Sequence, residues 1–414
     1  MNNVSHQRHP AFVAVTTLFF AWGFITAMID PLIPAMKVLF SLSYTESLLT
    51  QFAFFAAYGI VSLPAAALIA RRGYVAGIMI ALCAMVLGCL MMLLATGLQR
   101  YVVVLFALFV VASGITILQV AANPLAAALG SKAGAHFRLV FSQAFNSLGT
   151  VLAPYLGALF MLRGGVFSDS AAGSAAMRDA SFRNIDHSFL MIAVLIVVLA
   201  LFIYLSRRVI LGAASFSAKQ PSLLPALRSR WALFGAAAIF LYVGAEVSIG
   251  SVMINYLHQS AVLGVSLEFA GKLLSLYWLG AMVGRFVGSA LLSRLPAAPL
   301  TLVATLAAAS LCLVVIAIGG PSGAVAALSI GLFNSIIFPT VFTLTLERSS
   351  AGEAATSGLL CMAIVGGAVL PPLVGKIADH MGLSIAFVVP AAAYLCIAGF
   401  AHLARRTPAL ADAR

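Results

Sequence analysis

The sequence predicts an all-α membrane protein of twelve transmembrane helices in two six-helix halves. Three observations carry that expectation. First, 63% of the 414 residues are apolar and 8% are charged, against about 45–50% and about 25% in a soluble domain. That much apolar surface does not fit inside a water-soluble globule. Second, there are twelve apolar segments, near 11–36, 47–70, 75–95, 101–129, 137–162, 187–206, 231–258, 269–294, 299–318, 323–347, 355–380 and 384–405. Each approaches or exceeds the roughly 20 residues that cross a hydrocarbon core. Third, six segments precede and six follow a gap at 207–230 that holds five Lys or Arg, two prolines and no acid. The expected halves are therefore 1–206 and 231–414, joined by a cytoplasmic linker at 207–230.

Composition also excludes other classes. Disorder needs low hydrophobicity and high charge. The net charge of +12 arises from 23 basic and 11 acidic residues, spread without the basic block that a nucleic acid would require, so no nucleic-acid partner is expected. Membrane topology accounts for the basic residues instead. With the N-terminus in the cytoplasm, 16 of them fall inside and 7 outside, as the positive-inside rule requires. Both termini are then cytoplasmic and the polar loop 163–186 is external. The first segment is too long for a cleaved signal peptide and lacks a small-residue cleavage site. Cysteines 83, 89, 312, 361 and 396 sit in apolar runs without disulfide or metal-ligand spacing, and read as packing residues.

A polar group in hydrocarbon is costly unless it is paired or faces a water-filled cavity, so polar residues inside the segments are the candidates for function. In the first segment Trp22, Thr26 and Asp30 are four apart and share a face. Pro31 and Pro34 follow, weakening the helix and freeing carbonyls. A carboxyl group held there favours its neutral form and suits loading a proton on one side of the membrane and releasing it on the other. The competing reading is a solvated acid at the outer end of the helix. The fourth segment carries Thr116, Gln119 and Asn123, and the fifth Gln143, Asn146 and Thr150. The seventh has Glu246 one turn after Tyr242, and Asn255 beyond. Glu246 reads equally as a structural acid between helices and as a sugar or proton ligand. The eighth contributes Tyr277 and Trp278, the tenth Asn334.

These amides offer donors and acceptors without charge, which suits a ligand with many hydroxyls, and a tryptophan face suits a pyranose ring. Each alone reads also as polar glue between helices. Gly366-Gly367 and Pro371-Pro372 in the eleventh segment read as close-packing and bending points. No histidine lies mid-segment, and no G-x-x-x-x-G-K-[ST] phosphate loop occurs, so the energy source is expected to be a gradient rather than ATP. With no serine-nucleophile motif and no metal-ligand cluster, neither an enzyme nor a resident cofactor is expected.

Longer strings carry a resemblance. FFAWGFITAMIDPLIP (19–34), ILQVAANP (117–124), HFRLVFSQAFNSLGT (136–150), YVGAEVSIGS (242–251), YWLGAMVGRFVG (277–288), GLFNSIIFPTVFTLTLER (331–348) and SGLLCMAIVGGAVLPPLVGKIAD (357–379) resemble the fucose–proton symporter family of the major facilitator superfamily, in its glucose/galactose transporter branch. The resemblance implies a monomeric sugar importer of the bacterial inner membrane, surrounded by lipid and coupled to H+ or Na+. Asp30 matches an acid tied to proton coupling. Gln119 stands where fucose carriers have glutamate, and Thr26-Ala27 where they have two asparagines; both departures point away from fucose. Gln143 and Asn146 fall on the face that meets sugar, with Thr26, Asn123, Asn255, Trp278 and Asn334 as further sugar-binding candidates and Asp30 and Glu246 as ion-coupling candidates. Arg71 and Arg72, before Gly73, resemble a basic gating loop, with Arg285 and Arg294 as counterparts; positive-inside anchoring explains these arginines equally well. The expected function is proton-coupled import of glucose or galactose by alternating access. Alternatives are sodium coupling, mannose or N-acetylglucosamine as the sugar, and, more distantly, drug–proton antiport, which would want an apolar, aromatic cavity rather than amide-rich faces.

Overall fold

A computed structural model describes residues 2–129, 135–163, 175–213, 224–292 and 294–408. Parts of the expected external loop (164–174) and linker (214–223) lie outside the described residues. Eleven continuous segments among the described residues are long and apolar enough to cross a membrane. One of them, Tyr44–Leu98, has 55 residues, about 80 Å of helix against a core of about 30 Å. It is broken at Gly73, whose φ of 82° and ψ of 169° suit only glycine. The arms 44–72 and 74–98 fold back on each other, with Ile69 against Gly77. Counted separately, they bring the candidate crossings among the described residues to twelve.

Spans are numbered here in chain order. Span one is Ala11–Leu39, spans two and three are the two arms, span four is Tyr101–Asn123, span five Phe141–Met161 and span six Ala176–Leu211. Span seven is Arg230–His258, eight Leu267–Leu292, nine Ala297–Ala317, ten Gly320–Arg348, eleven Ala355–Met381 and twelve Leu383–Arg406.

Three spans are interrupted, two of them where proline removes a donor. Span one consists of helices Asn2–Ala27 and Ile29–Leu39; Pro31 and Pro34 cannot donate to the carbonyls of Ala27 and Asp30. Span ten breaks between helices Gly320–Asn334 and Ile337–Arg348, with Pro339 leaving the Ser335 carbonyl without its helical partner. Span eleven tightens to a 3-10 turn at Ala363–Val365 before helix Gly366–Met381, which contains Pro371 and Pro372.

Span six differs from expectation. Its helix runs over Ala175–Ala213, starting inside the expected external loop and continuing past the expected boundary at 206. Arg178, Asp179, Arg183 and Asp186, read as loop residues, lie on that helix, and two of them anchor its end: Arg178 donates to the Leu39 carbonyl at 2.6 Å and Thr96 donates to Asp186. Ahead of span seven, a short helix Leu224–Arg228 precedes Ser229, which caps span seven through Ala232 N–H and meets Ser349 Oγ at 3.1 Å. The five cysteines are free; Cys89 and Cys312 are buried as expected, whereas Cys83, Cys361 and Cys396 lie on the surface, which in a membrane protein is largely apolar.

Glycines set the closest approaches. Gly23 of span one lies against Asn146 of span five, and Gly149 against Phe20 and Phe24. Gly366 lies on the Phe240 backbone of span seven, and Gly367 on the Phe55 ring of span two. Contacts between the first and second halves of the chain also join spans five and eight, where Gly271 meets Ala158. At one end, the Asp379 carboxylate of span eleven accepts from Tyr44 N–H at 2.6 Å, Thr45 N–H at 2.8 Å and Thr45 Oγ1 at 2.6 Å. Ser43 completes a capping box with Glu46 there. A helix N-terminus with open N–H groups favours such an anion.

A paired substitution tests the packing account. Gly366→Ala puts a methyl group into the Phe240 backbone and is expected to cost about 1–3 kcal/mol by overpacking. Gly399→Ala, with nothing within 4 Å of the new atom, is expected to be neutral or to stabilise by about 0.5–1 kcal/mol. Thermal unfolding of the two variants in detergent measures the difference.

Candidate functional site

Asp30 begins the second helix of span one, just after the Met28 break. It is 4% exposed, so its carboxyl depends on protein partners. Oδ2 accepts from Trp278 Nε1 of span eight at 3.2 Å, and Oδ1 accepts a longer contact from Gln51 Nε2 of span two at 3.4 Å. Gln51 Nε2 also donates to Ser251 Oγ of span seven at 2.8 Å. Gly250 leaves room for the arrangement: a Cβ there would sit 3.4 Å from the Trp278 ring and 3.5 Å from Asp30 Oδ2. One carboxyl thus gathers spans one, two, seven and eight. Gln51 is seven residues into span two, and Ser251 seven before the end of span seven. That is about 10 Å of rise, well inside a hydrocarbon core.

A second polar cluster adjoins it through neighbouring Tyr277 and Trp278, whose rings are 5.1 Å apart. Tyr242 OH lies 2.7 Å from Glu246 Oε1 and 2.9 Å from the Asn334 carbonyl. A phenol has one hydrogen, so the two bonds alternate. An ionised Glu246 takes the hydrogen from the phenol; a protonated Glu246 donates to the phenol, which then donates to the carbonyl. Asn334 is fully buried, and its amide is engaged at both ends. It donates to Tyr277 OH at 2.8 Å and accepts from Tyr394 OH at 2.7 Å. It forms part of the wall of this region. The charge of Glu246 acts on Asp30, and that of Arg285 acts on Glu246. Arg285, in span eight, also donates to Ser147 Oγ of span five, bridging the halves at a second depth.

The remaining candidates are placed as follows. Gln119 donates to Tyr58 OH at 2.7 Å, which fixes the amide nitrogen on span two and leaves the oxygen for another partner. Asn146 donates to the Phe19 carbonyl at 3.2 Å. Gln143 and Thr26 are half-buried, and Asn255 lies one turn after Ser251 on the buried face of span seven. Thr26 Oγ1, Asn123 Oδ1, Ser275 Oγ and Gln51 Oε1 are buried without a hydrogen-bond partner. Such orphans cost about 1–3 kcal/mol each and mark where a water or ligand oxygen gains most. Arg71 and Arg72 are exposed beside Gly73, and the structure does not bring Arg285 to them. Arg294 is exposed beyond span eight.

Sequence reasoning passed over Gln51, Ser251, Tyr58, Tyr394 and Asp379. An amide and a phenol at positions 51 and 58 of an apolar run were the available signal, seven residues apart and so on one helix face.

Comparison with known proteins agrees with this architecture. The family model described as Major Facilitator Superfamily matches residues 13–363. The chain is 42% identical over 393 residues to a glucose/galactose transporter of Brucella abortus, covering 94% of this chain and 92% of that protein. It is 29% identical over 412 residues to the L-fucose-proton symporter of Escherichia coli, covering 96% and 93%. The crystal structure of the transporter FucP in the outward conformation superposes with a TM-score of 0.70 at 28% identity, covering 95% of this chain and 98% of that one. The multi-pass bundle, its buried polar core and these likenesses together establish that the chain is a transporter and not an enzyme, and that it belongs to the sugar transporters of the Major Facilitator Superfamily, close to the fucose and glucose/galactose branch.

Proposed function

We propose that the protein imports a hexose, glucose or galactose first, across the bacterial inner membrane by alternating access, driven by protons. The observation that carries this reading is the Asp30 carboxyl, buried between spans of both halves and held by Gln51 and Trp278. Burial disfavours a charge, and a carboxyl at a mobile contact exchanges its proton with whichever side is open. The names of the relatives, a glucose/galactose transporter and a fucose–proton symporter, support the sugar class and the ion.

In this reading the six-helix bodies 1–206 and 231–414 rock about the linker 207–230, with both termini cytoplasmic. The hydrogen bonds between halves among the described residues run from Asp379–Thr45 at one end to Arg285–Ser147. With that topology the described state is closed toward the outside. Sugar lies between the halves against Thr26, Gln119, Asn123, Gln143, Asn146 and Asn255, with the Trp278 ring on its apolar face. Asn334, Tyr277 and Tyr394 position that wall. Glu246 is the second group of the ion path, its phenol bond alternating with its charge. Arg71 and Arg72 serve the cytoplasmic gate, and the carrier works as a monomer. The cycle is coupled because loaded and empty carriers reorient and half-loaded ones do not.

A sodium-coupled cycle is the second reading. It rests on the unpartnered oxygens of Thr26 and Gln51 near the Asp30 carboxyl, because a hard cation wants several oxygen ligands.

Two substitutions test the proposal. Asp30→Asn, which imitates the protonated acid, is expected to abolish uphill sugar accumulation in vesicles while counterflow exchange persists. Full accumulation by that variant at neutral pH contradicts the role. Gln119→Ala is expected to raise the half-saturation concentration for sugar about tenfold, the loss of about 1.4 kcal/mol of hydrogen bonding, with coupling retained. An unchanged half-saturation concentration removes Gln119 from the sugar site.

A further inference from the structure

We propose that Gln51 reads the protonation state of Asp30 and passes it, through Ser251, to the contact between the two halves. The inference rests on the reading that Asp30 carries the coupling proton. Its basis is the placement of every hydrogen around one buried amide.

Gln51 is 3% exposed. One of its two N–H groups points to Asp30 Oδ1 and the other to Ser251 Oγ. Ser251 spends its own hydrogen on the Val247 carbonyl at 2.7 Å, so it meets Gln51 as an acceptor. Asp30 receives its second donor from Trp278. Among the described residues two donors and no acceptor bond to the carboxyl, which is the arrangement an ionised carboxylate needs. Gln51 Oε1 is left buried and unpartnered.

Binding a proton changes what the carboxyl requires. A proton from water on Oδ1 makes it an O–H donor, and the Gln51 N–H beside it is no partner for a donor. A half-turn of the amide brings the orphaned Oε1 to the position of Nε2, where it accepts the Asp30 hydrogen. The same half-turn takes the N–H groups away from Ser251, whose own hydrogen is already committed to Val247. The bond between spans two and seven is then lost. When the proton leaves Oδ1 for water, the amide turns back and the bond between the halves re-forms. A glutamine suits this task because its terminal amide carries a donor and an acceptor related by rotation of one torsion.

The other groups around Asp30 fit the scheme. Trp278 from span eight donates in either state. Glu246 from span seven acts on Asp30 by charge and is itself balanced by Arg285 of span eight. Lys37 of span one is turned to the Tyr44 ring, 4.3 Å from its centre. Trp278 ties Asp30 to the opposite half in either state, and Gln51 adds a second tie, through Ser251, that depends on the proton. Gln51 acts through Asp30 and is a positioning residue.

The test uses the full chain in liposomes, with labelled D-glucose. Counterflow is followed from mildly acid to mildly alkaline pH, and accumulation under an inward proton gradient, for the wild type, Asp30→Asn, Gln51→Met and Ser251→Ala. Methionine has nearly the volume of glutamine but neither amide donor nor acceptor. For Gln51→Met the expected result is counterflow that persists at acid pH, a flattened pH profile and accumulation lowered about fivefold or more, as loss of one coupling hydrogen bond implies. Ser251→Ala is expected to lower accumulation likewise while keeping the pH profile, because the Asp30–Gln51 contact remains. It decides the matter if Gln51→Met does not fold. Wild-type accumulation in both variants, with Asp30→Asn uncoupled, overturns the role of Gln51 and leaves the proton-symport reading standing. A wild type whose exchange and accumulation ignore protons overturns that reading instead.

Discussion

The structure depends on one constraint: the Asp30 carboxyl lies in the membrane interior, away from water, and must find its partners in the protein. It finds them on spans two and eight, with span seven one bond further on. Burying a polar group without partners costs several kilocalories per mole in hydrocarbon, so the halves of the chain meet where this acid is. The Met28 break in span one, with Pro31 and Pro34 behind it, sets the acid where the Ala27 and Asp30 carbonyls lose their helical donors. The glycine at 250, opposite, keeps the contact open to side chains from both halves.

Around that centre the bundle combines tight and loose regions. Gly23 and Gly149 draw spans one and five together, and Gly366 draws span eleven onto span seven. Small residues that let backbones touch are what membrane helices use in place of a hydrophobic driving force. The interruptions in spans one and ten fall beside Asp30 and Asn334. The Asp379 cap on Tyr44 and Thr45 closes one end with hydrogen bonds to exposed backbone, which are easier to exchange with water than a buried apolar seal.

Much of this was legible in the chain. The apolar segments mark the spans because only a helix satisfies its own backbone in hydrocarbon. Asp30 and Glu246 stand out as acids inside apolar runs, and Trp278 as a tryptophan in a separate one. The partnerships were not legible. Gln51 and Ser251 are 200 positions apart, and neither local propensity nor periodicity encodes which helix faces which. Asn334 reads from sequence as a sugar-binding amide or as polar glue between helices, and the pattern does not say that three tyrosines from spans seven, eight and twelve surround it. The extent of span six was misjudged because charged residues on a helix that projects beyond the core resemble a loop in composition. Arg285 resembled an end-of-span anchor, but its long side chain reaches Ser147 across the halves.

In the proposed cycle the Asp30 carboxyl is the point where an ion gradient meets a sugar gradient. The most direct measurement is labelled D-glucose uptake into right-side-out vesicles containing the protein, under an inward proton gradient without sodium and, separately, an inward sodium gradient at equal pH. The account predicts uptake above equilibrium in the proton arm alone. Concentrative uptake in the sodium arm alone, or in neither, would contradict it.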